Sequence, residues 1–124
     1  MKIRALGKRV IIIAPPPSAG FDPGRCNERL IEGKPSFGAS IDCRIAKDAY
    51  DKQAAATLAF LTDLERRAGV HVVHIADTLC DKSHCDTRWG DTLIYRDSGH
   101  FSHEGSIALA KRAGLLTTIN TLAR

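Results

Sequence analysis

Hydrophobic positions along the chain form short unbroken runs and longer segments with helical spacing. Residues 9–14, in which Arg9 precedes the apolar and mostly β-branched run Val10 to Ala14, are typical of a strand covered on both faces, and Pro15 to Pro17 end it. Residues 70–75 predict a second strand, and the segment between the strands has helical spacing. This order of strand, helix and strand predicts a right-handed crossover that joins parallel neighbours in one sheet.

The helix between the two strands is predicted over residues 43–68, with Asp42 as its N-cap and Gly69 as its end. Its apolar face is predicted to contain Ile45, Ala49, Ala56, Leu58, Phe60, Leu61 and Leu64. Residues 18–41, which precede this helix, are rich in glycine, proline and serine, and they predict a long loop. Loops of that length are usually functional or disordered.

The last third of the chain leads from an irregular segment into a helix. Residues 77–91 are predicted to be irregular, residues 92–95 to be extended, and a polar turn follows. Ser102 is predicted to cap the final helix, which Gly114 either kinks or ends. In doubly wound sheets, reactive groups lie beyond the carboxyl ends of the strands, where we expect the segment after Asp77 and the polar turn. The whole pattern predicts an α/β fold with a parallel sheet flanked by helices.

The polar turn holds the candidate catalytic residues, Asp97 and His100. An acid and an imidazole three residues apart before a helix suit proton transfer, because the carboxylate orients the ring and the ring then carries the proton. The spacing alone also fits a simple β-turn at Asp97-Ser98-Gly99, with His100 as a helix-entry residue. A nucleophile is the part that this segment lacks.

The sequence around the turn resembles the last block of the SGNH (GDSL-like) hydrolases, in which an Asp-x-x-His pair supplies two members of a Ser-His-Asp triad. The string Tyr95-Arg96-Asp97-x-x-His100-Phe101-Ser102-x-x-Gly105 is most similar to the SGNH domain fused to membrane acyltransferases that O-acylate bacterial surface polysaccharides. The strand that ends in proline, the cysteine-bearing loop after it and the string Cys80-x-x-x-x-Cys85 agree with this resemblance. The resemblance implies a flavodoxin-like three-layer sheet of the SGNH-hydrolase type, with Asp97 and His100 as catalytic residues.

The chain departs from the family at the nucleophile. The family's serine lies in a Gly-Asp-Ser motif, and its oxyanion-hole Gly and Asn lie between that serine and the Asp-His segment; none of the three has a counterpart in this sequence. The string Gly38-Ala39-Ser40 comes nearest, but it lacks the aspartate and follows no hydrophobic strand. We therefore interpret residues 1–124 as the C-terminal portion of a single SGNH-type domain. The alternative is a complete small α/β domain.

Four cysteines, Cys26, Cys43, Cys80 and Cys85, allow three disulfide pairings. The close spacing of Cys80 and Cys85 favours a local bridge, which leaves Cys26 and Cys43 for a second bridge. Two bridges indicate an oxidising compartment. Two alternatives stay open: reduced buried thiols, or a zinc site that uses Cys80, His84 and Cys85, with His103 as a further ligand.

Composition and charge exclude several classes of partner. The 124 residues are 44% hydrophobic and 26% charged, which is ordinary for a soluble globular protein. The net charge of +4 is spread among acidic and basic residues, so nucleic acid is not an expected partner. No signal peptide is predicted, because the apolar run of residues 10–14 is too short, and no stretch approaches the roughly 20 apolar residues of a membrane helix. Neither direct membrane insertion by this chain nor a cofactor is expected.

The resemblance implies acyl-ester transfer or hydrolysis, of the O-acyltransferase or O-acetylesterase type, on cell-surface glycans. The expected partners are a glycan or acyl-ester substrate, an upstream SGNH portion and the membrane acyltransferase domain of a parent protein, at the periplasmic or extracytoplasmic face of the membrane. Because neither the serine nor the oxyanion-hole residues are found in this chain, the chain by itself is not expected to hydrolyse activated acetyl esters. The alternatives are a non-catalytic carbohydrate-binding or interaction module derived from the same fold, and a small metal-binding protein.

Overall fold

The fold mixes helices with short strands, as the sequence pattern predicts. The structure is a computed structural model that describes residues 2–18, 20–34 and 42–124. The helices in these ranges are α1 (Lys2–Ala5), α2 (Pro23–Ile31), α3 (Lys47–Ala68), α4 (Ala76–Leu79), α5 (His103–Arg112) and α6 (Leu115–Leu122). The strands are β1 (Ile11–Ile13), β2 (Ile45–Ala46), β3 (His71–Val73), β4 (His84–Cys85), β5 (Arg88–Trp89) and β6 (Thr92–Leu93). In the described ranges, every helix is too short or too polar to cross a bilayer.

The predicted parallel pair of strands is confirmed. Residues Ile11–Ile13 lie opposite His71–Val73 in parallel register, and the N–H of Ala14 extends the pairing by donating to the Val73 carbonyl. Both strands are shorter than predicted. Ile13 is 45% exposed, so the prediction that this strand is covered on both faces is wrong for that residue. Within the described residues, β1 pairs with β3 alone.

The crossover helix α3 begins later than predicted. The residues before it are extended, because β2 pairs antiparallel with β4 and because Cys43 is joined to Cys26. Asp42 therefore does not cap α3; its carboxylate accepts hydrogen bonds from the N–H and the guanidinium of Arg44 instead. Gly69 ends the helix, as predicted, in the left-handed conformation at a φ of 58°.

The buried face of α3 also differs from the predicted face. Tyr50 and Leu61 are buried, and Ala54 and Leu58 pack against the core, so these four residues form the inner stripe. Exposed instead are Ala49, Ala56 and Phe60, whose assignment to the core face is wrong. Small and apolar residues occur on several sides of α3, so their spacing in the sequence did not identify which side is buried.

The prediction of a long loop over residues 18–41 is wrong where α2 forms. Asp22 accepts the N–H of Arg25 as an N-cap, and Pro23 occupies the first turn, where its missing N–H costs nothing. This start signal is present in the sequence, but the glycine, proline and serine content around it favoured a loop. Residues 35–41, which include the string Gly38-Ala39-Ser40, lie outside the described residues.

In the last third of the chain, the first part contains more secondary structure than predicted, whereas the final helices agree with the prediction. The segment expected to be irregular contains α4, β4 and β5, and β5 pairs antiparallel with β6. Ser102 caps α5 by accepting the N–H of Gly105, which confirms the predicted cap. Gly114, at a φ of 57°, separates α5 from α6.

One core cluster connects these elements. Its buried members are Ile45, Tyr50, Ile75, Ala76, Leu79, Cys85, Ile94, Tyr95 and Leu109. The cluster draws on α3, on the segment after β3, on the strand before the polar turn and on α5, so the polar turn is attached directly to the core.

Two disulfides tie the irregular segments together. Cys26 is bonded to Cys43, and Cys80 to Cys85, which is the pairing that the sequence spacing favours. The first bridge joins α2 to the segment before β2, and the second lies beside β4. No cysteine in the described residues is free.

Replacing Cys26 and Cys43 together by alanine is expected to lower the free energy of unfolding by about 2 to 4 kcal/mol, because their bridge restricts the unfolded chain. Urea titration of the variant and the wild type, followed by circular dichroism, measures the difference. The difference should nearly vanish in a reducing buffer, where the wild type loses the bridge as well. A difference of equal size in both buffers would show that side-chain packing, and not the bridge, stabilises the protein.

Candidate active site

The side chains of Asp97 and His100 are in contact at the protein surface. Nδ1 of His100 lies 2.8 Å from Oδ1 of Asp97 and 3.1 Å from Oδ2. The backbone N–H groups of Gly99 and His100 both donate to Oδ1 of Asp97, each at 2.9 Å. The same carboxylate therefore closes the turn and orients the imidazole. The two interpretations of this segment, a simple β-turn and an Asp-His pair, are therefore compatible, because the same carboxylate makes both sets of contacts.

The carboxyl group of Asp97 is held in its ionised form. Donation by the N–H of Gly99, followed by the bond with the His100 ring, lowers the pKa of Asp97 to about 2. The guanidinium of Arg96 lies 3.4 Å from Oδ2, but ion pairs this exposed contribute little. An ionised acceptor beside Nδ1 favours the tautomer of the neutral ring in which Nδ1 carries the proton.

The second ring nitrogen of His100 is available to other groups. Within the described residues, Nε2 of His100 has no hydrogen-bond partner, since both bonds of the ring are made by Nδ1. The side chain is 71% exposed. Nε2 can therefore accept a proton from a group that approaches from outside the described residues.

Buried contacts fix the position of the turn. Tyr95 is 1% exposed; its hydroxyl donates to the Pro17 carbonyl at 2.7 Å, and its ring meets Phe101 edge to face. The N–H of Arg96 donates to the His100 carbonyl at 2.9 Å. Because Pro17 follows the end of β1, these contacts place the turn beyond the carboxyl end of that strand, where the sequence pattern predicts it.

Two glycines allow helices to approach the turn closely. A Cβ at Gly24 in α2 would lie 2.4 Å from the carbonyl oxygen of Arg96, and a Cβ at Gly105 in α5 would lie 2.4 Å from that of Ile94. Both contacts are with backbone, which cannot swing away as a side chain can. Gly105 belongs to the motif that carries the family resemblance, whereas Gly24 was not singled out from the sequence. Gly24 directly follows Pro23 in the first turn of α2, and it could have been noticed only if that helix had been predicted.

No serine in the described residues is bonded to the ring of His100. The hydroxyl of Ser102 donates to the Leu93 carbonyl and accepts the N–H of Gly105. The hydroxyl of Ser106 donates to the carbonyl of His103. Ser40, the serine nearest to the family motif in sequence, lies outside the described residues.

The zinc interpretation is not supported by the described residues. Cys80 and Cys85 are joined in a disulfide, so neither has a thiolate for a metal ion. No group of three or more His, Cys, Asp or Glu side chains in these ranges is placed to hold a metal ion. His103 is exposed at the start of α5, as expected for a surface residue.

Comparison with known proteins identifies the family. Residues 1–113 match the profile described as "SGNH domain (fused to AT3 domains)". The chain belongs to this family. Its fold is similar to the periplasmic domain of the lipopolysaccharide acetyltransferase of Salmonella ser. Paratyphi A, with a TM-score of 0.61 and 18% sequence identity. The match covers 89% of this chain and 42% of that chain, so this SGNH sequence spans less than half of the solved domain. A comparison with curated proteins gave no match.

The pKa of Asp97 is expected to be about 2 in the folded protein and higher in His100→Ala, which keeps the Gly99 bond but loses the bond with the ring. Because the folded-state pKa lies below the unfolded value of about 4, the stabilising contribution is present above about pH 4. It is lost as the pH falls through about 2. Carbon-detected NMR of the Asp97 carboxyl group measures the titration.

Ser98→Ala is the matched control for this titration, because Ser98 lies in the same turn and makes no hydrogen bond to Asp97 in the structure. The pKa of Asp97 should be the same in Ser98→Ala as in the wild type. An identical pKa in His100→Ala would mean that the imidazole does not bond the carboxylate in solution.

Proposed function

We propose that Asp97 and His100 are the aspartate and histidine of a Ser-His-Asp triad that transfers or hydrolyses acyl esters. The observation that carries this proposal is the 2.8 Å contact between Nδ1 of His100 and Asp97, with Nε2 exposed and without a partner in the described residues. A triad needs this arrangement, because the carboxylate selects the tautomer whose other nitrogen accepts the serine proton. Membership of the SGNH domain family supports the proposal.

The chemistry follows from the two ring nitrogens. Nε2 of His100 takes the proton of the serine hydroxyl as the serine oxygen bonds to the acyl carbonyl carbon, and negative charge develops on the carbonyl oxygen. The imidazolium then gives that proton to the leaving oxygen as its bond to carbon breaks, which leaves the acyl group on the serine. A glycan hydroxyl or water removes the acyl group by the same two steps. Asp97 stays ionised, and it stabilises the imidazolium each time.

The serine and the oxyanion-hole donors are proposed to come from an upstream portion of the same domain. Residues 1–124 are then the C-terminal portion of a single SGNH-type domain, and β1 and β3 are two strands of a flavodoxin-like three-layer sheet. Two observations support this proposal. The fold match covers 42% of the solved domain, and β1 pairs only with β3 in the described residues and leaves Ile13 exposed. A further parallel strand beside β1 would pair the free edge and cover that side chain.

The proposed substrates are an acyl-ester donor and a cell-surface glycan. The family description names domains fused to AT3 domains, and a solved structure with a similar fold is the periplasmic domain of a lipopolysaccharide acetyltransferase. Two disulfides fit an oxidising compartment such as the periplasm. On this proposal the chain works at the extracytoplasmic face of the membrane, within a parent protein that also carries a membrane acyltransferase domain.

In a protein that joins residues 1–124 to the upstream portion, His100→Ala is expected to lower kcat for an activated acetyl ester by a factor on the order of thousands. Asp97→Asn is expected to lower kcat by less, because the base survives in a poorer orientation. The double variant should be no slower than His100→Ala, since both changes act on one step. Hydrolysis of p-nitrophenyl acetate measures the rates, and circular dichroism checks the fold.

His103→Ala is the matched control, because His103 is an exposed histidine three residues after His100, at the start of α5. Its replacement should change the rate by less than about tenfold. If His100→Ala kept most of the activity, the triad assignment would be refuted. A non-catalytic carbohydrate-binding or interaction module would then be the better account of the chain.

A further inference from the structure

A cavity of about 330 Å³ opens beyond the carboxyl end of β3, between the start of α3 and the segment that leads into α4. Its polar lining consists of Lys47, Tyr50, Asp51, His74, Asp77 and Asp81. The volume lies at the lower end of the range of about 300 to 1,000 Å³ that is typical of small-molecule sites. The turn of Asp97 and His100 does not contribute to it.

Tyr50 gives this cavity a polar group that is held in place by the core. The residue is only 5% exposed and its ring belongs to the core, yet its hydroxyl has no hydrogen-bond partner among the described residues. No fully enclosed side-chain oxygen or nitrogen in these residues lacks a partner, so the Tyr50 hydroxyl must reach open space. The cavity is the space that Tyr50 lines. A tyrosine hydroxyl that opens into a cavity and bonds to no described protein group can donate a hydrogen bond to a ligand there.

His74 and Asp77 add two more unused polar groups. Their backbones are joined, since the N–H of Asp77 donates to the His74 carbonyl at 3.1 Å, but neither side chain has a hydrogen-bond partner in the described residues. Tyr50, His74 and Asp77 all line this one cavity. Burial raises the pKa of Tyr50, so its hydroxyl stays protonated and can donate.

The remaining polar residues of the lining are already engaged. Lys47 and Asp51 form an ion pair at 2.5 Å. Oδ1 of Asp81 accepts the N–H groups of Ser83 and His84, both at 2.7 Å. The groups left for a ligand are therefore a phenol, an imidazole and a carboxylate. Together they offer donors and acceptors side by side.

The charge balance of the lining selects the kind of ligand. Three carboxylates, of Asp51, Asp77 and Asp81, face one ammonium group, of Lys47, so an anion such as a phosphate is repelled. Neighbouring hydroxyl groups of a sugar each donate and accept, which matches the three free groups. The apolar part of the lining, Leu58 and Ala76, offers a surface to the carbon–hydrogen face of a sugar ring. We infer that this cavity binds one neutral sugar unit of the glycan.

This inference rests on the proposed function for the identity of the ligand as a glycan. The cavity and the turn lie at the same end of the sheet. His74 follows the end of β3, Tyr95 is bonded to Pro17 beyond the end of β1, and the two strands are parallel. The cavity therefore holds the acceptor chain at a position separate from the groups that move the proton. The cavity is a binding subsite, and the turn provides the chemistry.

Saturation-transfer NMR on residues 1–124 tests the inference, with the methyl glycosides of glucose, galactose, mannose and rhamnose as probes. At least one glycoside should receive saturation from the protein, whereas inorganic phosphate, followed by phosphorus NMR, should not bind. Tyr50→Phe removes one hydroxyl and keeps the ring, and Asp77→Ala removes the carboxylate with its acceptor oxygens. Each variant should weaken the binding by about fivefold or more, because one hydrogen bond is lost.

Asp48→Asn is the matched control, since Asp48 lies on α3 beside the cavity residues but outside the lining, and its carboxylate faces the backbone of Ala49. It should bind the glycosides as the wild type does. His100→Ala should also bind normally, so failure of the triad and failure of this subsite are distinguishable. Absence of transfer to all four glycosides, binding of phosphate, or equal binding by Tyr50→Phe, Asp77→Ala and the wild type would overturn the inference.

Discussion

The hydrogen bond between the Tyr95 hydroxyl and the Pro17 carbonyl is the contact on which the geometry of the candidate site depends. Tyr95 directly precedes the segment of Arg96, Asp97 and His100, and its ring is buried, so its hydroxyl needs a partner inside the protein. That partner lies in the segment after β1. Burial raises the pKa of Tyr95, which keeps the hydroxyl a donor. An exposed pair of side chains is thereby attached to the rigid end of the sheet.

Features set by neighbouring residues were predicted well from the sequence. Gly69 ends α3 and Ser102 caps α5, because each signal acts within one helical turn. The Asp97 and His100 contact belongs to the same class, since both side chains lie in a single turn. The pairing of β1 with β3 joins distant segments, but two apolar runs around one helix allow few other arrangements.

Features set by distant contacts were predicted poorly. The start of α3 was misplaced because the disulfide of Cys43 and the pairing of Ile45 with Cys85 keep these residues extended against their helical pattern. The inner face of α3 was misjudged because Tyr50, which is polar at one end, takes a core position that the alanine pattern did not indicate. The cavity of Tyr50, His74 and Asp77 could not be predicted for the same reason. Its three free groups come from α3 and from the segment between β3 and the end of α4, which are brought together only by the fold.

The proposed chemistry depends on one arrangement, in which Asp97 holds the His100 ring with the proton on Nδ1 and with Nε2 unprotonated. The most direct test is a long-range proton–nitrogen NMR spectrum of the imidazole in residues 1–124 at alkaline pH. The neutral ring of His100 should show a protonated Nδ1 and an unprotonated Nε2, and Asp97→Ala should lose this preference. A neutral ring with the proton on Nε2 in the wild-type chain would contradict the triad arrangement, because the only unprotonated ring nitrogen would then face Asp97 and not a serine hydroxyl.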